Sequence, residues 1–486
     1  MPHHANVYKI TFLAMAILFG VHPLAATSVA PITSGPYPVG STNFEVTSLS
    51  TSAMEIRLIG SYTSSGDIYI ADILLHPADC PSVTVDMPVN SARFGRHSGK
   101  SVKFVAYVFY PTTDDNARAD YVFPYTNTGD HTFPHMQKAG DDPILRDAGV
   151  RYPLIIFSHG YNAHGLWDLS HVKLLASQGF IVVSIQHGDG RNTFAGCFGE
   201  RPLAVSKILD YMLADPDFGP AIDNERIGIS GSSFGGYTTL AVTGGGCFGS
   251  SDVPTDSRFR AGFGIVPYVG GTYGYYPFGS NYSSLGNVEC PFFAVYANND
   301  TSVPKSTVEA ALPQIEGTCT GVILAGETHS LSESAWVEAK TYEILFFEAW
   351  LCDDKNAMNT LYGDMNVDGG VDDRRTYQQV VAQAVIDENS CFGNSPVSWR
   401  LRLCGISPKL RVAFPVISDG SYRYDVMGSN DLADWQCLRV TVVDVEASDR
   451  LSDLSLPEGF EWRVAETKWS LENLTGATFL RIRVSE

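Results

Sequence analysis

Between Arg226 and Tyr237 the chain reads RIGISGSSFGGY, three serines and four glycines behind a short apolar run. Gly231-Ser232-Ser233-Phe234-Gly235 fits G-x-S-x-G at the end of a strand-like segment, which makes Ser233 the candidate nucleophile. In a strand-to-helix elbow the middle residue takes a strained backbone conformation, tolerable because glycines flank it. The turn lifts its hydroxyl clear of the sheet while Ser230 and Ser232 are directed elsewhere. A serine hydroxyl is a weak nucleophile until a base takes its proton, so a later histidine and an acid to orient it are required. His329, in GETHS directly after the apolar run GVILAG, is the candidate base. Asp300, in YANNDTSVP, is the candidate acid, with Asn298 and Asn299 beside it to hold its loop. His159, His164, His171 and His187 all precede the nucleophile and suit the role less well. Two backbone amides are placed to receive a developing oxyanion: that of Phe234, just after the nucleophile, and that of Tyr161 in FSHGY. This chemistry calls for no cofactor and no metal.

Such residues need a scaffold, and the chain from about Tyr152 onward predicts one. YPLIIF, FIVVSIQ, RIGIS, AGFGIV, PFFAVYA and GVILAG are nearly continuous apolar runs. Helix-like stretches such as WDLSHVKLLASQG and PLAVSKILDYML alternate with them. That alternation predicts an α/β fold, a parallel sheet covered on both faces. Residues 37–110 are rich in β-branched and aromatic side chains and predict antiparallel strands, with a β excursion at about 45–95. Beyond about Asn394 the helical periodicity stops, and short strand-like runs between Asp, Ser and Gly turns predict a small all-β, sandwich-like module over 394–486. The reading divides the chain into a catalytic domain at 35–352, a linker at 353–393 and that module.

Composition narrows the partners. Of 486 residues, 44% are hydrophobic and 18% charged, and the formal net charge is −20, so nucleic acid would be repelled. The run Ile10–Val21 followed by PLAAT resembles a signal peptide ending near Ala26 and is too short to span a bilayer stably. The reading is therefore export, to the periplasm or the medium. Nine cysteines without a CxxC pair favour disulfides over zinc. Cys290 with Cys319, Cys197 with Cys247, and Cys352 with Cys391 are the expected pairs. In GDMNVDGGVDD, Asp364, Asn366, Asp368 and Asp372 stand at calcium-loop positions, although Arg375 occupies the position where a closing carboxylate belongs.

Taken together, GPYPVG, RYPLIIFSHG, LASQGFIVVSIQH, RIGISGSSFGG and RFRAGFGI resemble the secreted platelet-activating-factor acetylhydrolases and their bacterial dienelactone-hydrolase-like relatives over roughly residues 35–352. The resemblance implies an α/β-hydrolase fold and a calcium-independent Ser-His-Asp esterase acting on short-acyl or lipid-type esters. In the animal enzymes the acid follows the strand matching AGFGIV, and Val266 stands there instead. Asp300 matches the acid of the dienelactone-like and cutinase-like polyester esterases, which also resemble this chain in Tyr161 and in an aromatic over the site, here Tyr268. The β tail is similar to C-terminal modules of exported bacterial proteins, whose role is surface or glycan contact. Two rival readings are a serine peptidase of the prolyl-oligopeptidase type and a non-catalytic binding or adhesion protein on a hydrolase fold.

Overall fold

A computed structural model describes residues 27–41, 81–113, 145–147, 149–362 and 365–371, together with the backbone of strands lying within 121–133 and 373–485. The signal segment 1–26 and most of the expected β excursion lie outside the described residues. The chain opens with β1 (Thr27–Val29), β2 (Val39–Ser41), β3 (Ser82–Asp86), the short α1 (Ser91–Phe94) and β4 (Ser101–Pro111). A hairpin of β5 (Tyr121–Tyr125) and β6 (Gly129–Phe133) follows. Next come β7 (Tyr152–Ser158), α2 (Leu169–Ser177), β8 (Ile181–Gln186), α3 (Phe194–Ala214), β9 (Ile222–Ser232) and α4 (Phe234–Leu240). The alternation ends with β10 (Ala261–Ile265), β11 (Phe292–Ala297), α5 (Lys305–Ala311), β12 (Cys319–Leu324) and α6 (Glu333–Leu351).

These strands stand in the order β2-β4-β8-β7-β9-β10-β11-β12, with β3 beside β4. β8 to β12 are mutually parallel, and β4 runs antiparallel to β8. Parallel neighbours require crossovers, and the helices supply them on both faces of the sheet. Ile155 and Phe157 of β7 pack on one face with Leu175 of α2 and Phe346 of α6. Leu154 and Ile156 pack on the other with Ile208 and Leu209 of α3. Burial on both faces is the reason such strands show no polar alternation. Each fully buried Ile, Leu or Phe side chain contributes roughly 1.5–3 kcal/mol by leaving water.

Past α6 the chain forms α7 (Lys355–Tyr362), β13 (Met365–Val367), which pairs with β1, and β14 (Asp373–Ala384), which runs antiparallel to β12. The stretch expected as a linker is thus partly built into regular structure. Among the described residues seven further strands follow: β15 (Trp399–Cys404), β16 (Lys409–Ile417), β17 (Arg423–Ser429), β18 (Gln436–Cys437), β19 (Val440–Val443), β20 (Phe460–Ser470) and β21 (Phe479–Ser485). They continue the main sheet as β14-β15-β16-β20-β19 and form a second, three-stranded sheet as β18-β17-β21. Among the described residues no helix is long and apolar enough to cross a membrane.

The expected disulfides are not formed among the described cysteines. Cys197, Cys247, Cys290 and Cys352 carry free thiols, and Cys391 lies outside the described residues. Register explains the first pair: the residue facing Cys319 across the ladder is Phe292, so Cys290 stands two positions too early. Cys247 instead accepts a hydrogen bond from Arg93 at 3.0 Å, and Cys197 faces the Asp189 carbonyl at 3.7 Å. Of the calcium-loop positions, Asp364 and Asp372 lie outside the described residues. Asn366 sits on β13, and Asp368 accepts a hydrogen bond from the Ser28 hydroxyl.

Candidate active site

The loops after β7, β9, β11 and β12 leave the carboxyl ends of neighbouring strands and converge there. Ser233 sits between β9 and α4 with φ 51° and ψ −113°, a region L-residues rarely occupy. Close approach enforces the glycine at 235: a Cβ there would come within 1.8 Å of the Ser158 carbonyl oxygen. The neighbouring strand pins the elbow. The Ser233 amide donates to the Ile265 carbonyl at 2.8 Å, and the Tyr268 amide donates to the Ser233 carbonyl at 2.8 Å. Ser230 and Ser232 are both buried, and neither takes part in the contacts of Ser233 described next.

The three residues proposed from the sequence meet in space. Ser233 Oγ lies 2.8 Å from Nε2 of His329, and Nδ1 of the same ring lies 2.6 Å from Oδ2 of Asp300. A carboxylate only accepts, so Nδ1 carries the proton and Nε2 is left with its lone pair toward Ser233. The other oxygen of Asp300 accepts the amides of Ser302 and Val303, both at 2.8 Å, which holds the buried carboxylate in place. The acid and base loops are also tied to each other. Asn298 Oδ1 accepts the Gly326 amide at 2.8 Å, and the Asn299 amide donates to the Glu327 carbonyl at 2.9 Å. Three other acids have partners of their own: Asp252 bonds to Asn90, Asp256 to Arg258, and Glu327 to Ser332. Val266, at the alternative acid position, is a buried apolar residue whose amide donates to Val295.

Phe234 opens α4, where the first amides of a helix have no acceptor within it. Opposite, a Cβ on Gly160 would lie 3.6 Å from Cβ of Ser233, so the Gly160–Tyr161 peptide stands beside the candidate nucleophile. The Tyr161 ring is 37% exposed and meets Phe194 edge-on at 4.8 Å. Burial pushes its phenol up to about 12, so it is neutral near pH 7. Tyr268 departs from expectation. It is only 3% exposed, its hydroxyl donates to the Thr272 carbonyl, and its ring packs against Phe194, Phe198 and Phe234. It backs the aromatic wall rather than lining it; the exposed rings are Tyr161, Tyr273 and Tyr275, and the last two touch Phe194. Phe194, Tyr273 and Tyr275 escaped the sequence reading. For the two tyrosines the aromatic clustering in GTYGYY was the available signal; Phe194, in RNTFAG, offered none.

A family model described as platelet-activating factor acetylhydrolase, isoform II, matches residues 136–207, a segment that holds β7, the loop beside Ser233 and the first two thirds of α3. The chain resembles that family. One curated relative is the platelet-activating factor acetylhydrolase of Cavia porcellus, 24% identical over a match covering 25% of this chain. The match spans only 36% of that relative's length. The strand order, the elbow and the resemblance together describe an α/β-hydrolase fold.

Proposed function

We propose that this chain is an exported carboxylic-ester hydrolase that works through an acyl-enzyme on Ser233. The reading rests chiefly on the unbroken hydrogen-bond chain Asp300–His329–Ser233 at the strained elbow. In the proposed cycle, Nε2 of His329 takes the proton as Ser233 Oγ attacks the ester carbonyl carbon. Asp300 holds the ring in the correct tautomer and stabilises the imidazolium. The carbonyl oxygen, now an oxyanion, accepts the amides of Phe234 and Tyr161. His329 then protonates the departing alcohol, and water repeats the sequence on the acyl-enzyme, returning Ser233 and releasing the acid.

The substrate class we assign is a short-acyl or lipid-type ester. The exposed rings of Tyr161, Tyr273 and Tyr275 offer an apolar rim beside Ser233, and the name of the relative points to acetyl esters. Export is supported by the apolar run Ile10–Val21 before the small residues at Ala25 and Ala26. Turnover of p-nitrophenyl esters of increasing chain length tests the assignment. Ser233→Ala or His329→Ala is expected to lower turnover on the order of 10⁶-fold in folded protein, because the two act as a unit. Cleavage of peptide anilides with no ester turnover would instead make the chain a peptidase.

A further inference from the structure

Arg201 is the largest fully buried side chain of the described fold, and Asp189 beside it is equally buried. The two form a bidentate pair: Nε to Oδ1 at 2.8 Å and Nη2 to Oδ2 at 2.5 Å. A buried ion pair is seldom retained for stability, since desolvating two charges offsets most of their attraction. What this one holds is specific. The remaining donors of Arg201 reach the carbonyls of His159 at 2.7 Å and Gly160 at 3.1 Å, and the Asn162 amide donates to Asp189 Oδ2 at 2.9 Å. His159 adds a second contact, its Nδ1 lying 2.7 Å from the same Gly160 carbonyl. Its other nitrogen accepts the His187 amide, which makes Nδ1 the donor.

A trans peptide is planar, with its C=O and N–H pointing in opposite directions. Holding the Gly160 carbonyl on the Arg201 side therefore turns the Tyr161 N–H the other way, and Gly160, on which a Cβ would lie 3.6 Å from Cβ of Ser233, sets that peptide beside Ser233. Asp189 meanwhile draws the next amide, that of Asn162, away from the site. The same guanidinium lies 4.7 Å from the ring centre of Phe234, whose amide is the other oxyanion donor. Pro202 adds a register lock. Lacking an N–H, it leaves the Phe198 carbonyl one turn earlier without a helical donor, and the Tyr237 hydroxyl of α4 supplies that hydrogen bond at 2.7 Å. The helix that carries Arg201 is thereby fixed to the helix that begins at the nucleophile.

We propose that the Arg201–Asp189 pair positions the oxyanion hole: it orients the Gly160–Tyr161 peptide and, through Phe234, couples that loop to the nucleophile elbow. The proposal rests on the hydrolase reading above. Arg201 and Asp189 are positioning residues and touch no substrate atom. Because the oxyanion exists only after attack, losing the pair lowers turnover and leaves ground-state binding nearly intact.

Two variants test this. Arg201→Lys keeps the charge balance but cannot grip Asp189 and both carbonyls at once. Arg201→Met/Asp189→Leu removes both charges at similar volume, a change that buried pairs often tolerate. In folded protein, kcat for p-nitrophenyl butyrate is expected to fall by on the order of 10²- to 10³-fold in the double variant. KM should stay within about threefold, and the Ki of a trifluoromethyl ketone, which mimics the oxyanion, should rise in parallel with the loss in kcat/KM. Wild-type kcat and Ki in either folded variant overturn the proposal. Unfolding of both would assign the pair to stability and overturn it equally. Fluorophosphonate on the wild-type protein separates the two levels: absence of an adduct at Ser233 sinks the hydrolase reading itself, whereas an adduct with unaltered variant kinetics sinks only the role given to Arg201 and Asp189.

Discussion

The side chain of Asn298 accepts a hydrogen bond from the amide of Gly326 at 2.8 Å, joining the loop that carries Asp300 to the loop that carries His329. The two loops leave adjacent parallel strands, β11 and β12, so this tie sets the separation of the carboxylate and the imidazole. Asn298→Ala is expected to weaken the fold by about 1 kcal/mol, the net value of one such hydrogen bond. Turnover should fall by more than that loss of folded protein explains. Turnover per folded molecule equal to wild type would show that the tie does not position His329.

Asp300 is the side chain that separates two ways of building the site. Asp300→Asn retains an oxygen for the Ser302 and Val303 amides and is expected to fold. Its turnover of a short p-nitrophenyl ester should drop about 10⁴-fold, as the ring loses its orienting charge. Val266→Ala should change turnover little, since that residue contributes backbone and packing alone. Circular dichroism confirms folding in both cases.

Adjacent serines make a sharp contrast. Ser232→Ala removes a hydroxyl that stands outside the Asp300–His329–Ser233 chain and should preserve most ester turnover. An inactive Ser232→Ala protein beside an active Ser233→Ala protein would mean that the elbow has been misassigned.

The meeting of the three candidate residues was readable because each follows an apolar run that forms a parallel strand: β9 before Ser233, β11 before Asp300, β12 before His329. The supports were not readable. Arg201 and Asp189 lie in ERPL and HGDG, stretches whose charges look solvated until tertiary packing buries them. The Cys290–Cys319 pairing failed because adjacency of strands does not fix register. Tyr268 was placed in the right neighbourhood with the wrong exposure, since facing direction in a loop has no periodicity to reveal it.

Stability should depend on pH through histidines near this site. Burial, with Arg201 beside it, pushes His159 down to about 3, and burial with His159 nearby pushes His164 down to about 3. Burial also holds His187 well below its usual range. In the unfolded chain these rings titrate near 6.5, so between about pH 6.5 and 3 the unfolded state binds more protons and stability falls as pH falls. Melting temperature measured from pH 7.5 to 4 should therefore decline steadily below about 6.5. His164→Gln, if it folds, should flatten that decline. A melting temperature constant down to pH 4.5 would contradict neutral buried imidazoles.

The most direct test of the account is the fate of a fluorophosphonate. Purified protein treated with the reagent should gain the mass of one phosphonyl group, found by peptide mapping on the segment containing Ser233, with ester turnover lost in step with labelling. Ser233→Ala should take up none, and His329→Ala should label far more slowly. A protein that hydrolyses p-nitrophenyl butyrate yet remains unlabelled, or that carries the adduct on another residue, would contradict an acyl-enzyme at Ser233.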